Sequence, residues 1–71
     1  MNFSSFGERL LVSMRVTGVG NGRLAKLSGL NQTTISHFTS GNREPSLDNL
    51  RKLLAALPEI DARWLITGRL K

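Results

Sequence analysis

Residues 24–41 read LAKLSGLNQTTISHFTSG. The stretch divides into a helix, a glycine turn and a second helix packed at a steep angle to the first. Leu24 and Ala25 fall on the inner side of the first helix, with Leu27 nearby. Gly29 stands where that helix must stop and the chain reverse, because glycine enters the left-handed region without a Cβ clash. Leu30 fills the corner and Asn31 can cap the next helix, whose buried stripe is Ile35 with Phe38 at i, i+3. The outer face of that helix is left with Gln32, Thr33, Ser36 and His37. A solvated helix face normally carries Lys and Glu, so four polar side chains without a formal charge are unusual there.

Working outward, the rest of the chain is punctuated in the same way. Ser5 and Glu8 form an S-x-x-E capping box that opens a first helix, with Phe6, Leu10 and Met14 as its inner stripe. Phe3 is placed to staple its start, and Gly18 ends it. Gly20 or Asn21 opens the second helix, and Gly41 closes the third. GNREPS (41–46) is a loop, after which Ser46 caps a fourth helix with Leu47, Leu50, Leu54 and Leu57 as its stripe and Leu53 beside them. Pro58 stops that helix, and Asp61 caps a short last one that closes at Gly68. No segment alternates as a strand would. The expectation is an all-α fold, one domain over residues 1–71, with helices over 5–17, 21–28, 32–40, 46–57 and 61–67.

Composition narrows the chemistry. A 71-residue chain is near the lower limit for folding without staples, and this one has no cysteine to form them. His37 is the single histidine, so neither a zinc site nor a His-based catalytic cluster can be assembled. The five carboxylates are scattered and no nucleophile is activated, so an enzyme is not expected, nor is a cofactor, a metal or a small-molecule ligand. The glycines of 18–22 do not form a nucleotide loop, since no strand precedes them. No apolar run reaches the roughly 18 residues of a membrane span. The N-terminus lacks the features of a secretion signal, which makes the cytoplasm the expected location. Ten Lys and Arg against five Asp and Glu leave a net charge of +5, which attracts polyanions, nucleic acid before an anionic membrane. On such a chain the uncharged face at 32–37 fits base edges: Gln can pair with adenine N6 and N7, and Thr offers a hydroxyl and a methyl.

The spacing of Asn21, Leu24-Ala25, Gly29-Leu30, Ile35-Ser36 and Gly41 resembles the helix-turn-helix domain of phage repressors and Cro proteins. The segment REPSLDNLRKLLAALPEIDARWLITG (43–68) is similar to that family's fourth and fifth helices, so the resemblance covers residues 6–68. It implies a transcriptional regulator, a repressor first of all, whose third helix enters the major groove of a double-stranded operator. Gln32 and Thr33 then occupy the first-turn positions that contact base edges, with Ser36 and His37 one turn on. Asn21 takes the phosphate-binding place at the start of the second helix, and Ser40, Asn42 and Arg43 follow the DNA backbone. Arg23 and Lys26 are further candidates for phosphate, with plain solubility as the competing account of any one surface cation.

A single recognition helix reads only a few base pairs, so a homodimer on a palindromic site is expected. The resemblance places pairing in 58–70, with Ile60, Trp64 and Ile66 as apolar candidates, although core packing is the stronger expectation for Trp64. Two departures from the family pattern stand out. Many members pair an Arg of the first helix with a Glu near the end of the third; Met14 and Thr39 stand at those places. Gly22 sits in the first turn of the second helix, where it either loosens the start or lets backbone approach phosphate. An antitoxin or accessory protein-binding subunit of the same fold is the alternative, and it would favour an exposed apolar patch over the polar face at 32–37. The end at Gly68-Arg69-Leu70-Lys71 fits either a natural terminus or the head of a longer repressor.

Overall fold

The computed structural model describes residues 5–69. Five helices follow one another: α1 (Phe6–Thr17), α2 (Asn21–Ser28), α3 (Gln32–Ser40), α4 (Leu47–Ala56) and α5 (Ala62–Thr67). Each differs from its expected range only where the expectation counted a cap as helix: Ser5, Ser46 and Asp61 lie outside as N-caps, and Leu57 as the C-cap of α4. Ser5 and Glu8 make the reciprocal capping box. Gly18, Gly29, Gly41 and Gly68 end their helices at φ values of 72, 78, 83 and 81°. No helix among the described residues is long and apolar enough to cross a membrane. Phe3 and Leu70, expected as a staple and as part of the pairing segment, lie outside the described residues.

The core gathers Leu10 and Met14 from α1, Leu24 from α2, Ile35 and Phe38 from α3, Leu53 and Ala56 from α4, and Leu57 and Leu65. Two leucines depart from expectation. Leu27 is 51% exposed, because the inward line of α2 runs from Leu24 to Ser28 and leaves position 27 to one side. Leu47 is 66% exposed: the buried residues of α4 are Leu53 and Ala56, a phase that turns its first residue outward.

Two close contacts hold α1 in place. Gly7 meets the end of α3 so closely that a Cβ there would lie 2.5 Å from the Phe38 carbonyl oxygen and 2.9 Å from that of Thr39. Arg9 is only 4% exposed and crosses to α5, where its Nε donates to the Leu65 carbonyl at 2.9 Å and its Nη2 to the Ile66 carbonyl at 3.1 Å. The cation therefore meets the last turn of α5, where unpaired carbonyls and the helix dipole favour positive charge. Arg9 fixes α5 on α1.

Met14 and Thr39, which stand where many relatives carry an Arg–Glu pair, are satisfied separately. Met14 joins the core, and the Thr39 hydroxyl donates to the Ser36 carbonyl within α3 at 3.2 Å. No charge is buried at this place, so none needs a partner.

Candidate nucleic-acid interface

α3 is held at both ends and exposed between them. Asn31 caps its start by accepting from the Thr34 N–H at 2.7 Å. At its end the His37 carbonyl accepts from the N–H groups of Asn42 and Arg43, at 3.0 and 3.2 Å, and from the Ser40 hydroxyl at 3.2 Å. These bonds tie the first residues of the loop back onto the helix. Arg43 thus starts from a defined backbone position while its side chain is exposed.

Gln32, Thr33 and Ser36 are exposed and His37 is half-buried. At i, i+1, i+4 and i+5 they share the face opposite the buried Ile35 and Phe38. The four sequence-selected residues therefore come together on one surface. Ser40, Asn42 and Arg43 border its end, and the first turn of α2 lies across its start.

That α2 turn touches two members of the face. The Asn21 Nδ2 donates to the Ser36 hydroxyl oxygen at 2.9 Å. A Cβ at Gly22 would lie 3.4 Å from Nε2 of Gln32, so the carboxamide rests beside the bare α-carbon. α2 begins with Gly20 as N-cap and without a side-chain cap bond, which leaves its leading N–H groups without a side-chain acceptor. An open groove of about 640 Å³ runs beside it, walled in part by Arg23, Lys26 and Gln32. Among the described residues Arg23, Lys26 and Arg43 make no ion pair, in contrast to Lys52, which meets Asp48 at 3.3 Å on α4. Unpaired cations thus flank an uncharged, hydrogen-bonding centre, a distribution that supports phosphate contact around base contact.

Of the three candidates for pairing, Ile66 is 45% exposed, whereas Ile60 and Trp64 are partly buried and pack against the core. Ile66 therefore provides the apolar surface on α5. Sequence reasoning passed over Arg9, whose buried bonds set where α5 lies. The available signal was its spacing, three residues after Phe6 and four before Ser13, which puts a cation beside the inner face of α1.

A family model described as helix-turn-helix matches residues 22–65. No curated protein matches the sequence significantly. Among solved structures, the restriction-modification controller protein C.AhdI from Aeromonas hydrophila is 36% identical, with a TM-score of 0.79, covering 89% of this chain and 94% of that one. The DNA-binding domain of the P22 c2 repressor in solution is 28% identical, with a TM-score of 0.84 and coverage of 100% and 92%. The P22 c2 repressor in complex with a synthetic operator is 26% identical, with a TM-score of 0.81 and coverage of 92% and 97%. With the helix pair, its glycine turn and the exposed polar face all in place, the chain belongs to the helix-turn-helix family and is a DNA-binding transcription regulator of the phage repressor and Cro kind.

Proposed function

We propose that the chain represses transcription by docking α3 in the major groove of an operator. The single observation that carries this reading is the face of Gln32, Thr33, Ser36 and His37, exposed on a helix whose two ends are pinned. Gln32 and Thr33 supply the first-turn base contacts, Gln32 through its carboxamide and Thr33 through its hydroxyl and methyl. Ser36 and His37 read further along the groove. Asn21, Arg23, Ser40, Asn42 and Arg43 hold phosphates on either side, with the N-terminus of α2 giving its N–H groups to one of them. The P22 c2 repressor, similar in fold, forms a complex with a synthetic operator, which supports operator binding by this chain.

One such helix covers a few base pairs, so the chain acts as a homodimer on a palindromic operator, paired through the α5 surface at Ile66. It works in the cytoplasm on double-stranded DNA, without catalysis and without a cofactor.

Gln32→Ala with Thr33→Ala is expected to remove the preference for the operator over random duplex while leaving the melting temperature nearly unchanged. Both side chains are exposed, and each good base contact is worth ~1–3 kcal/mol of discrimination. Competition binding against random DNA measures this, and retention of the preference by the double variant would sink the assignment of α3.

Arg43→Ala should act differently. It should weaken binding to all duplexes alike and flatten the log–log salt dependence by about one unit. Titrations at several salt concentrations check it, and a loss confined to particular sequences would count against a phosphate role.

A further inference from the structure

The hydroxyl of Ser36 differs from six others on the helices. Ser13, Thr17, Ser28, Thr39, Ser40 and Thr67 all turn their hydroxyls back to donate to backbone carbonyls of their own helix. Ser36 instead receives the Asn21 Nδ2 donor from α2, at 2.9 Å, on the exposed face of α3. A serine hydroxyl has one donor and two acceptor positions. The Asn21 amide takes one acceptor position, and the hydroxyl proton has no acceptor among the described residues.

We propose that Asn21 is a specificity-determining positioning residue: by donating to Ser36 Oγ across the α2–α3 turn, it occupies one of the two acceptor positions and biases Ser36 towards presenting its O–H to the base. The favoured partner atom is then an acceptor on the major-groove edge, namely guanine O6 or N7, adenine N7 or thymine O4, over the N4 amino group of cytosine. Asn21 touches no base in this arrangement. Its effect on sequence preference passes through Ser36, separately from any bond that its backbone makes to phosphate. The inference rests on α3 being the base-reading helix, and it adds a polarity to one of that helix's contacts.

The test begins with duplexes selected from a random pool by the wild-type chain, followed by single base-pair substitutions across the selected half-site. Ser36→Ala is expected to reduce preference at one base pair by about three- to tenfold, the range of a single hydrogen bond. Asn21→Ala should reduce preference at that same pair, over a uniform loss at all pairs from any phosphate contact. In the Ser36→Ala background, Asn21→Ala should leave that preference unchanged.

Asn21→Asp provides the decisive arm. A carboxylate can only accept, so it draws in the Ser36 proton and leaves oxygen lone pairs facing the groove. Preference at that pair should turn towards cytosine, while the added negative charge weakens all duplexes alike. The proposal is overturned if Asn21→Ala weakens every base pair equally, if its effect on preference persists without the Ser36 hydroxyl, or if Asn21→Asp leaves the preferred base unchanged. A pool that yields no preferred sequence overturns both this inference and the operator reading. A selected operator whose preferences ignore Asn21 overturns this inference alone.

Discussion

Arg9→Ala is expected to lower stability by about 3 kcal/mol, because two charge-assisted hydrogen bonds of at least ~1.5 kcal/mol each are lost together. The substitution also leaves the Leu65 carbonyl, to which Arg9 donates at 2.9 Å, facing a gap at the end of α5. A small domain of total stability near ~5 kcal/mol has little reserve against such a loss. The expected fall in melting temperature is on the order of 15 °C, read by circular dichroism or calorimetry. Arg9→Met separates the causes, since it keeps an aliphatic stem and removes the guanidinium. If the bonds to α5 dominate, Met should be nearly as damaging as Ala. A Met variant within ~1 kcal/mol of the wild type would show instead that Arg9 acts by packing its stem. The chain has no disulfide to hold α5 by other means.

Gly7→Ala should also destabilise, by about 2 kcal/mol, although alanine ordinarily improves a helix by ~0.5–1 kcal/mol over glycine. The reversal of sign is the diagnostic result. A methyl at position 7 would come within 2.5 Å of the Phe38 carbonyl oxygen and 2.9 Å of the Thr39 oxygen, and both belong to backbone that cannot rotate away. α1 and α3 would have to separate, loosening the core around Phe38, which is 1% exposed. Urea unfolding should show a lower midpoint with little change in slope. An unchanged or raised midpoint would mean that the two helices part at little cost, contrary to the close approach at Gly7. Because the contact lies at the end of α3, the substitution should also disturb the loop tied to the His37 carbonyl, to which Arg43 donates at 3.2 Å.

The two residues were hidden from sequence reading for the same reason. The bonds of Arg9 to α5 join positions separated by 56 and 57 residues, and no local pattern records such a pairing. The spacing of Arg9 puts a cation beside the inner face of α1, but its partner is not defined until α5 is laid across it. Gly7 reads as a tolerated glycine in a first helical turn, although a glycine inside a helix always invites a packing explanation. Leu27 and Leu47 erred the other way. Each fits an apolar stripe by spacing, and the angle at which its helix meets the core turns it outward.

The candidate face was more legible than its supports. Gln32, Thr33, Ser36 and His37 are placed together by the 3.6-residue period once Ile35 and Phe38 are assigned inward, so their grouping needed no tertiary information. The bond between Asn21 and Ser36 was not legible, because it depends on how closely the first turn of α2 approaches α3. Position 21 stands out by spacing as a polar helix start, but its side-chain partner does not.

By itself the sequence determined what depends on neighbours within about one helical turn. That includes the caps at Ser5, Asn31, Ser46 and Asp61, the left-handed stops at Gly18, Gly29, Gly41 and Gly68, and the polar face of α3. These follow from backbone sterics and local hydrogen bonds, which act at fixed short spacing. Only the tertiary structure decided that Arg9 anchors α5, that Gly7 admits α3, and that Asn21 engages Ser36. Those contacts arise when helix axes cross at particular distances and angles, and many residue types are compatible with the same helices until the crossing selects among them.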